Sequence, residues 1–253
     1  MNIRQALGLP DLLSVKRVIC VQPHPDDNEV GAGGTIYTLH QRGCEVVYVT
    51  VTDGRAGAPD STVNPDHLVH DRQREKMRAG QILGVSRQID LGFPDGGSYY
   101  ADEVAKQLVE IYREIRPDMV MTVDPWAPYE AHPDHQKTGM AVARALLFSN
   151  NTTMYPIVSA APVDVPQVAF YATSYPNTFV DVTDSWDKKL ASIQAHKSQF
   201  DNPGWPVLSE YFRYQAREMY RQAKQDPATD GYAEAFKVLA ARQLHFFPMA
   251  VFS

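Results

Sequence analysis

The chain has 253 residues, with 24 Lys plus Arg against 30 Asp plus Glu for a formal charge of −6, 44% hydrophobic residues and two cysteines. This describes one globular domain that needs no disulfide staples, because a chain of roughly 250 residues hides about three quarters of its unfolded surface on folding. The acidic balance argues against a nucleic-acid or anionic-membrane partner, since both require a basic footprint.

The N-terminus, Met1 to Arg17, has no apolar stretch of signal-peptide length, and no run of about 18 apolar residues occurs anywhere, so a cytoplasmic protein is expected. A first buried strand is predicted at Val18 to Val21, followed by a helix over Gly34 to Arg42, a strand over Val46 to Val51 and helices over Asp66 to Leu83 and Asp102 to Ile115. A third strand, Met119 to Val123, precedes a helix over Thr138 to Ser149. The three strands are continuous, β-branched apolar runs, the pattern of parallel strands buried on both faces. A strand pair follows at Val168 to Ala172 and Thr178 to Val182, then helices over Ser185 to Phe200, Ser209 to Lys224 and Tyr232 to Ala241. This alternation predicts an α/β fold with a mostly parallel sheet and helices on both faces. Residues 1–253 form a single domain in this reading, with 201–253 its helical C-terminal part. Cys20 and Cys44 lie in apolar runs and read as reduced, buried thiols, and no Cys-x-x-Cys pair exists for a zinc knuckle.

Ligand crevices in open α/β sheets lie beyond the carboxyl ends of the strands. The first strand runs into His24-Pro25-Asp26-Asp27-Asn28-Glu29, one imidazole and three carboxylates in six positions. Like charges that close repel unless a cation offsets them, so a divalent metal is the natural partner. Helix capping by Asp26 or Asp27 explains one carboxylate and not the set. The adjacent Gly31-Ala32-Gly33-Gly34 fails as a dinucleotide fingerprint on spacing, and reads as close helix packing. After the strand ending at Val123 comes Asp124-Pro125-Trp126-Ala127-Pro128-Tyr129-Glu130-Ala131-His132-Pro133-Asp134-His135, whose paired histidines suit a metal site or an acid/base pair. His and carboxylate ligands favour zinc over magnesium or calcium, while iron(II) stays open on ligand type alone. Serine-nucleophile and phosphate-loop motifs are absent, which leaves activated water as the nucleophile.

His24-Pro25-Asp26-Asp27-x-Glu29 together with His132-Pro133-Asp134-His135 resembles the LmbE-like, or PIG-L, superfamily of zinc-dependent N-acetylglucosaminyl deacetylases. The resemblance extends through Thr52-Asp53-Gly54, Arg72-x-x-Glu75, Leu91-Gly92-x-x-Asp95-Gly96 and His196 to Phe200, and the segment Asp124 to Glu130 is similar to the diacetylchitobiose deacetylases. It implies a Rossmann-like fold and one Zn2+ per subunit, held by His24, Asp27 and His135. Asp26 would be the general base, His132, protonated, the oxyanion stabiliser and Asp134 the residue that orients an imidazole. Arg72 and Asp95 would contact sugar hydroxyls of a small N-acetylated amino sugar, and the assembly would be a homo-oligomer, a hexamer being one form. The rival substrate is a GlcNAc conjugate on the way to a low-molecular-weight thiol. Rivals of other classes are a catalytically silent sugar-binding module and a non-haem iron oxygenase.

Other readings of single residues stay open on sequence. Arg72 lies in a charge-dense helix that could be a solvated face, and Asp95 could be a turn former. His196 has the helical spacing of a structural histidine as well as the chemistry of a ligand. Trp126, Tyr129 and Trp205 suit either sugar stacking or packing.

Overall fold

The computed structural model describes residues 6–58, 60–156, 160–226 and 228–253. The first five residues and Pro59 lie outside the described residues. Seven strands form one sheet: β1 (Arg17–Gln22), β2 (Glu45–Thr52), β3 (Arg87–Phe93), β4 (Met119–Val123), β5 (Gln167–Tyr171), β6 (Thr178–Asp181) and β7 (Ala233–Ala240). The helices are α1 (Asp27–Gln41), α2 (Pro65–Leu83), α3 (Ala101–Ile115), α4 (Pro133–Phe148), α5 (Trp186–Gln194), α6 (Lys197–Phe200) and α7 (Trp205–Lys224). Spatial order is β3-β2-β1-β4-β5-β7-β6, parallel from β3 to β5, with β7 antiparallel to both neighbours. No described helix is long and apolar enough to cross a membrane.

The buried runs alternate between two core layers. Ile19, Val21, Val47, Val49, Val120 and Phe170 meet Val104, Leu108, Tyr112 and Val142 of α3 and α4. Val18, Cys20, Val46, Tyr48 and Met121 meet Ile36 and Leu39 of α1 and Leu83 of α2. Both cysteines are free and buried, as expected. The chain winds outward from β1 to β3, then returns to lay β4 on the other side of β1. That reversal opens a crevice where the loops after β1 and β4 diverge, and those are the two loops that carry the acidic and histidine motifs.

Four elements differ from the sequence reading. Tyr232 to Ala241 is not a helix but strand β7, which fills the sheet between β5 and β6, so the expected strand pair is not a pair and the C-terminal part is not simply helical. Its Ala, Glu, Lys and Leu favour helix locally, yet Phe236, Val238 and Leu239 are buried in the sheet, and such burial outweighs propensity. Strand β3 had no sequence signal because it is a half-exposed edge with polar residues. The helix expected over Ser185 to Phe200 breaks at Ala195 and His196 into α5 and α6.

Helix α1 begins at Asp27, so the glycine-rich stretch is inside it. Its glycines are there for packing: a β-carbon on Gly31 would run into the Tyr171 ring, and one on Gly34 would lie 2.7 Å from Val182 Cβ. The same stretch is tied down by Glu234 of β7, whose carboxylate accepts from the N–H groups of Gly34 (3.0 Å) and Thr35 (2.8 Å). Lys189 of α5 completes this buried tie, donating to Glu234 at 2.5 Å and to the Val30 carbonyl at 2.7 Å. Gly31→Ala should therefore destabilise the fold by about 1–3 kcal/mol, the range for overpacking a core. A denaturant midpoint equal to wild type would show that α1 can back away from Tyr171.

Candidate metal centre

His24 stands two residues beyond β1 and is almost buried, at 7% exposure. Its Nδ1 lies 3.2 Å from Asp27 Oδ2, and the other Asp27 oxygen lies 3.5 Å from His135 Nε2. Ligand atoms of His24, Asp27 and His135 all fall within 4.8 Å of one another, so one ion could be shared among them. The outer nitrogens of both rings face carboxylates: His24 Nε2 is 3.1 Å from Asp95 Oδ1, and His135 Nδ1 is 3.0 Å from Glu130 Oε2. A carboxylate behind each ligating imidazole is the arrangement that fixes ring orientation and raises ligand basicity.

A second group, His24, Asp95, His132 and Asp134, also falls within bonding range of one point. Its donors are more heavily committed. Asp134 accepts from Tyr99 Oη at 2.9 Å and the Gly96 N–H at 2.7 Å, Asp95 Oδ2 accepts from the Ala56 N–H at 3.1 Å, and His132 Nδ1 accepts from the Asp134 N–H at 3.2 Å. The first set is therefore the better cradle, and its mix of two imidazoles and one carboxylate suits zinc.

The charge balance points the same way. Burial alone would lower His24, but the Asp134, Asp27 and Asp95 carboxylates around it push it up to about 12. Burial would raise Asp27, yet its hydrogen bond and charge contact with His24 bring it down to about 2. The cluster therefore gathers excess negative charge, which a cation at this point would offset.

Asp26 and Asp27 are sequence neighbours that point to different places. Asp26 occupies the N-cap position of α1 but makes no capping bond, and its backbone sits at φ 136°, where a non-glycine residue is strained. That turn carries its Oδ2 to 2.8 Å from an Arg72 Nη2 donor. Burial raises the Asp26 carboxyl to about 6, against the lowering influence of Arg72.

Arg72 is 3% exposed, far from a solvated helix face, and also donates to the carbonyls of Gly54 (3.0 Å) and Pro25 (2.8 Å). Gly54, at φ 73°, and Gly57 let the loop after β2 close on it, since a β-carbon on Gly57 would lie 2.5 Å from Arg72 Nη1. Gln199 of α6 reaches the same loop, donating to the Gly57 carbonyl at 3.0 Å, while Glu75 accepts from Ser198 N–H and Oγ and so holds α6 in place. His24, Asp26, Arg72, Asp95, His132, Gln199, Ala56 and Gly57 line one cavity of about 220 Å³.

The structure thus gathers all eight residues singled out from sequence, with some duties exchanged. The imidazole that faces the Asp134 carboxylate belongs to His24, at 3.6 Å, and Asp95 stands nearer to that nitrogen. Asp95 is engaged by His24 and Ala56 rather than held open for a hydroxyl. The His132 Nδ1 accepts from the Asp134 N–H, which leaves Nε2 as the ring nitrogen free to donate, and burial together with nearby His24 and His135 lowers its pKa. His196 is fully buried, 3.6 Å from Glu29, and belongs to neither metal-capable group. Glu130 was passed over as a site residue, although a carboxylate five residues before His135 in the same proline-rich loop was a usable signal.

These features are those of a family. Residues 19–146 match the PIG-L family, described as GlcNAc-PI de-N-acetylase, and the chain belongs to that LmbE-like family. A diacetylchitobiose deacetylase of Thermococcus kodakarensis is 37% identical over 93% of this chain and 88% of its own length. The solved structure of the N,N'-diacetylchitobiose deacetylase from Pyrococcus horikoshii, in complex with an inhibitor, superposes with a TM-score of 0.89 at 33% identity, covering 97% of this chain and 92% of that one. A probable N-acetyl-alpha-D-glucosaminyl L-malate deacetylase of Bacillus cereus is 30% identical over 73% of this chain and 84% of its own.

Glu130→Gln is expected to weaken metal binding by about 10–100-fold, the usual cost of losing an outer-shell carboxylate. Competition with a chromogenic chelator measures this directly, and an unchanged affinity would remove Glu130 from that role.

Proposed function

We propose that the protein removes the acetyl group from an N-acetylglucosamine unit of a small saccharide such as diacetylchitobiose, using one zinc ion per chain held by His24, Asp27 and His135. The observation that carries this reading is the divergence of Asp26 from Asp27: one carboxylate faces the imidazoles, and its neighbour, at a strained φ of 136°, faces the cavity. A module that only bound metal or sugar would have no use for the second, nor for the strain that aims it.

A divalent ion in this cradle supplies Lewis acidity, polarising an amide carbonyl and lowering the pKa of water to near 7. The chain's own groups do the rest. Asp26, with Oδ2 fixed by Arg72, accepts the proton of the attacking water as its oxygen bonds to the acetamide carbon. His132 presents Nε2–H to the carbonyl oxygen as negative charge develops there, and its ring is oriented by the Asp134 N–H on the far nitrogen. When the C–N bond breaks, Asp26 returns the proton to the leaving nitrogen, giving acetate and an amine. Asp95 and Glu130 keep the two ligating rings in place.

A GlcNAc conjugate is the second reading for the substrate, favoured by the Bacillus cereus relative. Acetate release from GlcNAc, diacetylchitobiose and a GlcNAc α-conjugate, by protein stripped with chelator and reloaded with zinc, separates the two. Release restored by zinc from at least one sugar is expected; no release despite bound zinc would sink the deacetylase reading.

Variants divide the roles further. Asp26→Asn should retain metal and lose turnover by about 10²–10⁴-fold, the usual contribution of a general base. His24→Ala should lose both. His132→Ala should keep its metal and fall by about 10²–10³-fold, as for the loss of one oxyanion donor. Elemental analysis alongside kcat checks all three, and near-normal turnover of Asp26→Asn would transfer the base role to another group.

A further inference from the structure

Arg72, Asp26 and Asp95 line the cavity of about 220 Å³, and each is already engaged: Arg72 with Asp26, Gly54 and Pro25, and Asp95 with His24 and the Ala56 N–H. Gln199, half-buried on α6, is the one side-chain amide on the same wall.

The orientation of that amide is forced by its neighbours. Its nitrogen lies 3.0 Å from the Gly57 carbonyl oxygen, and a carbonyl can only accept, so the NH2 end must face the loop. The same nitrogen donates to Ser198 Oγ at 3.2 Å, which is free to accept because it gives its own proton to Glu75 Oε2 at 2.7 Å. The Ser198 N–H also bonds to Glu75, at 2.9 Å, so the short helix that carries Gln199 is held against α2. Both Gln199 N–H groups are thereby spent, and Oε1 has no hydrogen-bond partner among the described residues. A β-carbon on Gly57 would lie 2.9 Å from this oxygen and 2.5 Å from Arg72 Nη1, which places Oε1 beside the guanidinium that holds Asp26.

A fixed acceptor of this kind calls for a donor from the ligand. An anion is disfavoured there, because Asp26, Asp95 and the amide oxygen all present negative charge or partial charge to the same space. A sugar hydroxyl is matched, being neutral and able to donate once. The side chain is already ordered, so little freedom is lost when the bond forms.

We infer that Gln199 Oε1 accepts a hydrogen bond from a hydroxyl of the ring that bears the reacting acetamide, and so selects a hydroxylated pyranose over other N-acetyl compounds. The inference rests on the deacetylase reading above and adds a residue that determines specificity.

The test takes metal-loaded wild type, Gln199→Met and Gln199→Leu and measures acetate release from the methyl glycoside of GlcNAc and from its 3-deoxy, 4-deoxy and 6-deoxy analogues. In wild type, one of the three deletions should lower kcat/KM about tenfold, the scale of one hydrogen bond to a fixed neutral partner. In Gln199→Met that same deletion should cost nothing further, and Gln199→Leu repeats the comparison with a second side chain in case methionine disturbs α6. A residue that only tied the loop would lower kcat/KM alike for every sugar and leave the tenfold ratio standing. That outcome overturns the inference, as does a wild type indifferent to all three deletions. If metal-loaded wild type releases acetate from none of the sugars, the deacetylase reading fails by itself, and the Kd of the same four sugars, from calorimetry, decides the inference. A tenfold loss on one deletion in wild type and none in Gln199→Met supports it; no such difference, or no binding, overturns it.

Discussion

The rest of the structure depends on the charge held around His24. Asp27 faces one nitrogen of this ring, and Asp95 and Asp134 face the other, all in a crevice where water is largely excluded. Carboxylates at that spacing in a low dielectric repel strongly, and a single imidazole offsets them only by keeping a proton far above its ordinary pKa. The nearby fixed cations serve elsewhere: Arg72 is spent on Asp26 and two carbonyls, and Lys137 reaches Asp134 only at 3.4 Å. A divalent ion shared among His24, Asp27 and His135, which could hold one, would resolve this conflict without a proton on His24. The strand reversal at β1 and β4 brings the two loops that carry these residues together.

Holding those loops has a structural cost that the fold meets far from the crevice. Helix α1 must start close under β5 to aim Asp26 and Asp27, so it carries glycines where a larger residue would strike Tyr171 or Val182. Each such glycine weakens a helix interior by about 1 kcal/mol relative to alanine. The Lys189 and Glu234 pair compensates by bonding directly to the backbone at Val30, Gly34 and Thr35. Strand β7 is thus part of the site's foundation, although it lies on the opposite side of β5 from the metal cradle.

What the sequence reveals, and what it hides, follows from where the partners lie. Strands β1, β2 and β4 are legible because burial on both faces leaves continuous apolar runs, and the metal-capable group is legible because its residues sit in two short segments. Strand β7 is hidden because its residue types favour a helix and only its neighbours in the sheet overrule them. The second shell is hidden for a related reason. Asp95 finds His24, and Arg72 finds Asp26, across loops distant in the chain, so no local spacing announces either contact. His132 shows the finest limit: its position can be read from the motif, but which ring nitrogen is left to donate is set by one backbone N–H, visible only once α4 is built.

These commitments bear on how a sugar is chosen. Arg72 and Asp95, the side chains expected to grip hydroxyls, are largely occupied in ordering the cluster: Arg72 has three of its N–H groups engaged, and both Asp95 oxygens have partners. Few groups on the inner wall remain to read a pyranose beyond Gln199 and the loop backbone at Ala56 and Gly57. An inner wall built this way spends most of its charged side chains on ordering the carboxylates around His24.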